Sequence, residues 1–313
     1  MPLISIVLPV YNGEKTIAET INSVLNQTFV NWELIIINDG SQDSTLDIIK
    51  EIEFTDSRLR IFSYPNAGLA ASRNRGIALS LGEYISFIDA DDLWTSDKLK
   101  SQLIALQEYP NASIAYSWTD YIDADGKFVK SGGHTTDTGD VYQKLLLWNF
   151  IENGSNPLIR KEVFTIVGSF DESLTAAEDW DMWLRLAAQY EFVVVPKVQI
   201  LYRLSTNSMS ANLKRQEITC LVVINKAFAT PRAESLGYLK KYTLSNIYKY
   251  LTFKSLETPP DKVHRWISTV FLWKCVRYNP AVIKQKKIIL IAIFKIVFPF
   301  LYYHLKRNLK FKT

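Results

Sequence analysis

Four groups of residues could do chemistry. Asp89-Ala90-Asp91-Asp92 places three carboxylates directly after the apolar run 84–88. Carboxylates so close repel one another. A divalent cation held between them and phosphate oxygens would compensate, because hard oxygen ligands suit Mg²⁺ or Mn²⁺. The competing account is a solvated acidic turn in which Asp92 or Ser96 caps the next helix. Asp39, in Asn38-Asp39-Gly40-Ser41, could accept a hydrogen bond from a base N–H or close an Asx turn. Arg73 and Arg75 could meet phosphate through planar guanidinium groups or line an exposed helix face. Glu178-Asp179-Trp180-Asp181 could supply a general base for an attacking hydroxyl. Alternatively, it only places acids where a helix dipole stabilises them.

The elements that must position these groups follow from periodicity. Residues 5–11 form an apolar, β-branched run that Asn12-Gly13 ends, and Ile17, Ile21, Val24 and Leu25 then recur at helical spacing over 14–26. The nearly all-apolar segment 32–38 reads as a strand covered on both faces. A helix around Leu46, Ile49 and Ile52 follows, then a strand at 59–63, a helix at 68–80 and a strand at 84–88. Such alternation predicts a parallel, helix-covered sheet whose ligands lie beyond the carboxyl ends of its strands. Tyr11, Asp39 and Asp89 should therefore line one crevice. Beyond a helix at 96–108 the pattern turns α+β. Strands are expected at 112–120 and 156–160, with a hairpin turn at 123–126 between them. Helices are expected at 142–150 and 180–190. Two short strands at 192–195 and 199–203 are separated by Pro196. From about residue 213 the signals are helical.

Composition bounds the class. The 313 residues are 48% hydrophobic and 22% charged, which suits a folded chain rather than a disordered one. The net charge of +4 is mild but uneven, since residues 284–313 carry eight Lys or Arg and no acid. Cys220 and Cys275 stand far apart with no metal-ligand spacing, and a reducing compartment is the simpler reading. The chain enters a strand at once, without a signal-peptide pattern.

Taken in order, these motifs resemble the family 2 glycosyltransferases. The resemblance runs from about residue 5 to 210. It is carried by Pro9-Val10-Tyr11-Asn12, Asn38-Asp39-Gly40-Ser41, Ala67-Gly68 through Arg73-Asn74, Gly82-Glu83-Tyr84, Asp89-Ala90-Asp91-Asp92, Gly168-Ser169-Phe170-Asp171, Glu178-Asp179 and Tyr202-Arg203. It implies a GT-A type α/β fold: a Rossmann-like, mostly parallel sheet with helices on both faces, plus a C-terminal helical extension. The implied catalytic domain is 1–212, with a nucleotide-binding half at 1–110 and an acceptor half at 111–212, followed by a helical region at 213–313. The implied activity is that of an inverting glycosyltransferase of the hexosyltransferase class (EC 2.4), using a UDP-sugar or related donor in surface polysaccharide or glycolipid synthesis.

The resemblance also implies roles. Pro9 and Tyr11 contact the donor's base or ribose, and Asp39 accepts from the base ring N–H. Arg73 helps hold the nucleotide, Asp89 sits near the ribose, and Arg203 approaches the diphosphate. Asp91 ligates Mn²⁺ or Mg²⁺. Asp179 is the general base beside Glu178, with Asp181 its rival. Many relatives carry a histidine two positions after the Tyr-Arg arginine; here that position is Ser205, and Ser208 is the other nearby substitute.

The stretch 288–303 is apolar except for Lys295 and Pro299, and is shorter than the roughly 20 apolar residues that span a bilayer. Its Lys-rich flanks and aromatics suit a segment lying on an anionic membrane surface, or else a helix packed on the catalytic domain. A cytoplasmic enzyme, peripheral at the inner face of the plasma membrane, is one expectation; no nucleic-acid partner is expected. The rival functions are a sugar nucleotidyltransferase, which would need a Gly- and Lys-rich phosphate loop that Tyr11-Asn12-Gly13-Glu14-Lys15 poorly supplies, and a non-catalytic membrane-associated scaffold.

Overall fold

The computed structural model describes residues 1–204, 212–257, 265–302 and 304. The chain divides into two compact units, Met1–Leu145 with Asn149–Thr206, and Leu146–Trp148 with Asn207–Thr313.

The first unit is built on one nine-stranded sheet. β1 (Ile4–Val10), β2 (Trp32–Asn38), β3 (Leu59–Ser63) and β4 (Tyr84–Phe87) run parallel, in the order β3-β2-β1-β4. Every residue of β1 and β2 is buried, as the unbroken apolar runs require of central strands. α1 (Ile17–Leu25), α2 (Thr45–Glu53) and α3 (Leu69–Leu79) make the crossovers. The order continues through β8 (Leu158–Arg160), β6 (Ala112–Ile122), β9 (Glu191–Arg203) and β5 (Leu93–Trp94). β8 pairs antiparallel with both β4 and β6, which leaves β6 parallel to β4, and β9 parallel to β6. The sheet is thus mostly parallel, as expected. α4 (Lys98–Glu108), α5 (Tyr142–Leu147), α6 (Phe164–Val167) and α7 (Glu178–Ala187) complete the helices of this part.

Two expectations change. Pro196 does not split a strand: β9 runs unbroken through it. Its partner β6 shifts register there, pairing Ser117 with Val195 and Trp118 with Val198, so Pro196 and Lys197 face no ladder partner. A bulge excuses proline from the donor it lacks. β7 (Phe128–Ser131) closes a hairpin on β6 around the predicted 123–126 turn, although its sequence alone carries no strand pattern.

The second unit is helical, with α8 (Leu213–Phe228), α9 (Lys240–Ser255), α10 (Arg265–Tyr278) and α11 (Lys286–Val297). Asn212 caps α8 by accepting from the Arg215 N–H. Cys220, Val223, Ile224 and Ala227 form its buried stripe.

α3 lies close on β1 because of one glycine. A Cβ at Gly76 would collide with the Cγ1, Cγ2 and Cβ of Val7. Alanine would gain ~1 kcal/mol of helix propensity there. Overpacking against a rigid β-branched neighbour costs more, about 1–3 kcal/mol. Gly76→Ala should therefore lower the urea midpoint, and Val7→Ala in the same chain should recover part of the loss.

Candidate functional site

The carboxyl ends of the parallel strands bring the expected residues together. Asp39 follows β2, and its N–H donates to the Val10 carbonyl at the end of β1 (2.8 Å). The two loops beyond these strands clasp each other. Gly13 N–H donates to Thr45 Oγ1 (2.8 Å), Gln42 N–H to Asn12 Oδ1 (2.8 Å), and Asn12 N–H to Ser41 Oγ (3.0 Å). Pro9 is buried in β1, whereas Tyr11 at the loop's start is 51% exposed and free to meet a ligand face.

Asp39 is buried. Its Oδ1 accepts from Ala67 N–H (3.0 Å) and Arg75 Nη1 (3.1 Å), and its Oδ2 from Gly68 N–H (2.8 Å). An ionised carboxylate offers about four acceptor positions, so one is left for a ligand N–H. Arg75, part-exposed, also lies 4.6 Å over the Tyr64 ring. Of the two arginines in the Arg73-Asn74-Arg75 stretch, Arg75 is therefore the one that borders open space beside Asp39.

Arg73 is 1% exposed. Its Nη2 donates to Asp89 Oδ1 (2.7 Å) and its Nη1 to Glu178 Oε1 (2.9 Å), and Gly154 gives it room, since a Cβ there would collide with the guanidinium. Burial works against its charge, yet Asp89, Glu178 and Asp179 hold its pKa above the usual arginine value. Each terminal nitrogen thus holds one carboxylate, so Arg73 fixes Asp89 and Glu178 relative to each other. Arg203 is engaged in a similar way. Its Nε donates to the Asp91 carbonyl (2.9 Å), Nη1 to the Ala124 carbonyl (2.7 Å) and Nη2 to Glu19 (2.7 Å), while its backbone N–H donates to Asp92 (3.1 Å). These bonds shape the acidic loop.

The three acids of that loop do different work. Asp92 is fully buried and accepts from Ser155 Oγ (2.5 Å). Burial, then Asp91 and Asp89, push it well above the usual carboxylate range. Asp89 is tied to Arg73. Asp91 is the acid with surplus charge: burial first, then Asp89, lift it to about 6 against the opposing pull of Arg203. Among the described residues no three His, Cys, Asp or Glu side chains converge as a closed metal cage. One or two carboxylates at an open site fit Mg²⁺ or Mn²⁺, which take their remaining ligands from water and substrate phosphate. Ser205 and Ser208, the expected substitutes for a third ligand, lie outside the described residues.

Asp179 lies in the first turn of α7, which follows Ala177, whose backbone is left-handed (φ 54°). Its Oδ1 accepts from Trp180 N–H (2.7 Å) and its Oδ2 from Asn149 Nδ2 (3.3 Å). Burial, then the neighbouring Glu178, raise it to about 7, with Arg73 opposing. Asp181 is 3% exposed and bound by Arg185 Nε (2.8 Å), whose other nitrogens cap the Val167 and Ser169 carbonyls. That locks the rival acid into a structural ion pair.

Sequence reasoning missed the far wall. Glu152, also left-handed (φ 74°), accepts from Gly133 N–H (2.9 Å), gives its own N–H to Asn149, and is lifted by burial to about 7. His134 (φ 43°) is paired with Asp120 (2.8 Å) and stacked on Trp118 (4.7 Å). None of these carries a motif. The four non-glycine residues with positive φ among those described, Asn12, His134, Glu152 and Ala177, all fall in loops of this site, where backbone strain commonly collects.

A mostly parallel α/β sheet with acids beyond its strand ends defines the class: a GT-A type α/β domain. The matching family, over residues 5–255, is described as "Glycosyltransferase like family 2", and the chain belongs to it. It is 35% identical over 258 residues to the UDP-Glc:alpha-D-GlcNAc-diphosphoundecaprenol beta-1,3-glucosyltransferase WfgD of Escherichia coli, covering 79% of this chain and 95% of that one. It is 28% identical over 260 residues to the chondroitin synthase of Pasteurella multocida, covering 82% of this chain but only 26% of that much longer protein. The chain also spans only 27% of an uncharacterized glycosyltransferase of Rickettsia bellii. In fold it is similar to S. aureus TarS 1-349 in complex with UDP-GlcNAc, with a TM-score of 0.60 at 17% identity, covering 91% of this chain and 92% of that one.

Arg73→Met should cost about 3–5 kcal/mol in chemical denaturation, because it strands Asp89 and Glu178 around a buried void. Arg75→Met, at a part-exposed pair, should stay within about 1 kcal/mol in the same assay.

Proposed function

We propose that the chain transfers a sugar from a nucleoside-diphosphate donor, a UDP-sugar in the first instance, to an acceptor hydroxyl with inversion at the anomeric carbon. The observation that carries this reading is the shared guanidinium of Arg73. It joins Asp89, on the side expected to hold the donor, to Glu178, beside the carboxylate poised as a base. Family membership supports the reaction class. The named donor and acceptor of WfgD support a UDP-sugar and a lipid-diphosphate-linked or polysaccharide acceptor. Such an acceptor would place the reaction at the cytoplasmic face of a membrane.

In this reading Tyr11 and Asp39 hold the base, with Arg75 beside them. Asp91, with Asp89, would hold Mn²⁺ or Mg²⁺, which when bound supplies positive charge to the leaving diphosphate. Asp179 accepts the acceptor's hydroxyl proton. The oxygen forms its bond to the anomeric carbon as the carbon–oxygen bond to the diphosphate breaks, and the diphosphate departs with that electron pair. A base lifted to about 7 is matched to this task, since it is ionised near neutrality yet basic enough to accept a proton. The sequence-level rivals, a nucleotidyltransferase and a scaffold, gain no support from the site.

Isothermal titration of UDP, dTDP and GDP with Mg²⁺, Mn²⁺ or chelator should show metal-dependent binding of one nucleotide, lost in Asp91→Ala. Failure of the folded protein to bind any of them would sink the reading. Because the base works ionised, kcat/KM with saturating metal should climb with pH through about 7 and level off above it. A rate flat from pH 5 to 9 would count against Asp179.

A further inference from the structure

The end of the helical unit carries apolar surface that the transfer reaction does not use. α11 reads KKIILIAIFKIV and buries only Ala292. Leu290, Ile293 and Val297, spaced to share a helix face, are 64%, 44% and 49% exposed. Phe298, Phe300 and Leu301 continue the exposed apolar run. Leu290, Phe294, Val297 and Tyr302 are among the residues lining an apolar concavity there. On α10, Trp266 and Trp273 stand seven positions apart on one face, and both are exposed. Scattered apolar residues on a surface need no explanation, but a contiguous run of this size marks something that covers it.

Charge decides what covers it. Residues 265–313 carry eleven Lys or Arg and no Asp or Glu. With +4 on the whole chain, the other 264 residues carry a net −7. A second copy laid on this face would bring two such basic segments together, and nothing acidic within them offsets the repulsion. An anionic bilayer answers both features. Each Lys or Arg near its surface is drawn to the negative potential of the headgroups. The apolar face can sink roughly 5–10 Å into the boundary between headgroups and acyl chains. Tryptophan prefers that boundary, and the Trp273 ring has the Arg277 guanidinium 5.7 Å from it, an apolar body with a charged tip. Spanning is excluded for α11 itself: twelve residues rise about 18 Å against the ~30 Å of a hydrocarbon core. Among the described residues no helix is long and apolar enough to cross a membrane.

We propose that α10 and α11 form a docking surface for anionic phospholipid, with α11 lying in the plane of the bilayer interface. The proposal gives the membrane reading of the tail a defined surface and stands apart from the transfer chemistry.

The test is flotation of the full-length protein with vesicles of phosphatidylcholine alone, and with vesicles in which about one third is phosphatidylglycerol. Wild type should float with the anionic vesicles at least tenfold more than with the neutral ones, and raised salt should release it. A Leu290→Glu, Ile293→Glu, Val297→Glu variant, altered only at exposed positions, should lose at least tenfold. So should a Lys286→Glu, Lys287→Glu variant, while both keep the wild-type melting curve and nucleotide affinity. No flotation, equal flotation on both vesicles, or flotation untouched by the folded variants overturns the proposal. Concentration-dependent dimerisation in light scattering, abolished by the glutamates and with no flotation, would assign the face to a second copy. Nucleotide binding by the same samples reads the donor site separately, so failure of either proposal leaves the other visible.

Discussion

One buried positive charge sets the terms for the catalytic unit. Arg73 has almost no contact with water, and it survives there because Asp89 and Glu178 each occupy one end of its guanidinium. A buried arginine stripped of its carboxylates, or the carboxylates stripped of it, would be strongly unfavourable. The strand-end acid after β4 and the first turn of α7 are therefore fixed relative to each other, although 89 residues separate them in the chain. Much follows from that tie. Position 154 must be glycine to admit the guanidinium. Glu178, once paired, turns its charge on Asp179 and helps hold that group near neutrality. The one guanidinium cannot neutralise Asp91 as well, which leaves the surplus charge that a divalent cation and a diphosphate would resolve.

The donor-side strands were largely legible from sequence, for a physical reason. β1 and β2 are covered on both faces, so each is an unbroken apolar run, and each is followed by a breaker, Asn12-Gly13 after the first and Asp39-Gly40 after the second. The general rule for ligands at strand ends then located Asp39 and Asp89 without coordinates. The choice between Asp179 and Asp181 was open at that level. What favours Asp179 is Arg185, one turn further along the same helix, which claims Asp181; that pair is local, but the Val167 and Ser169 carbonyls that hold Arg185 in place are not.

What sequence could not deliver was the orientation of arginines and the identity of the far wall. Arg73 and Arg75 look alike in a helical pattern, yet one turns into the core and the other toward Asp39. Arg203 has a family motif, but its donors go to the Asp91 and Ala124 carbonyls and the Glu19 carboxylate, all brought in from elsewhere in the chain, which no local pattern announces. Glu152 and His134 adopt left-handed backbone without being glycine. Only the tertiary hydrogen bonds to Gly133 and Asp120 explain why they tolerate it. Pro196 illustrates the opposite error, a residue that ought to break a strand but is accommodated by a bulge in its own strand.

The central claim is that Asp179, and not its neighbour two positions on, removes the proton. The direct measurement is single-turnover transfer by Asp179→Asn and Asp181→Asn, each saturated with nucleotide-sugar donor and metal, with donor affinity measured on the same preparations. The account predicts a fall of roughly 10²–10⁴-fold in the transfer rate for Asp179→Asn with donor affinity retained, and a near wild-type rate but lowered stability for Asp181→Asn. A reversal of those two rates would contradict it and move the base to Asp181.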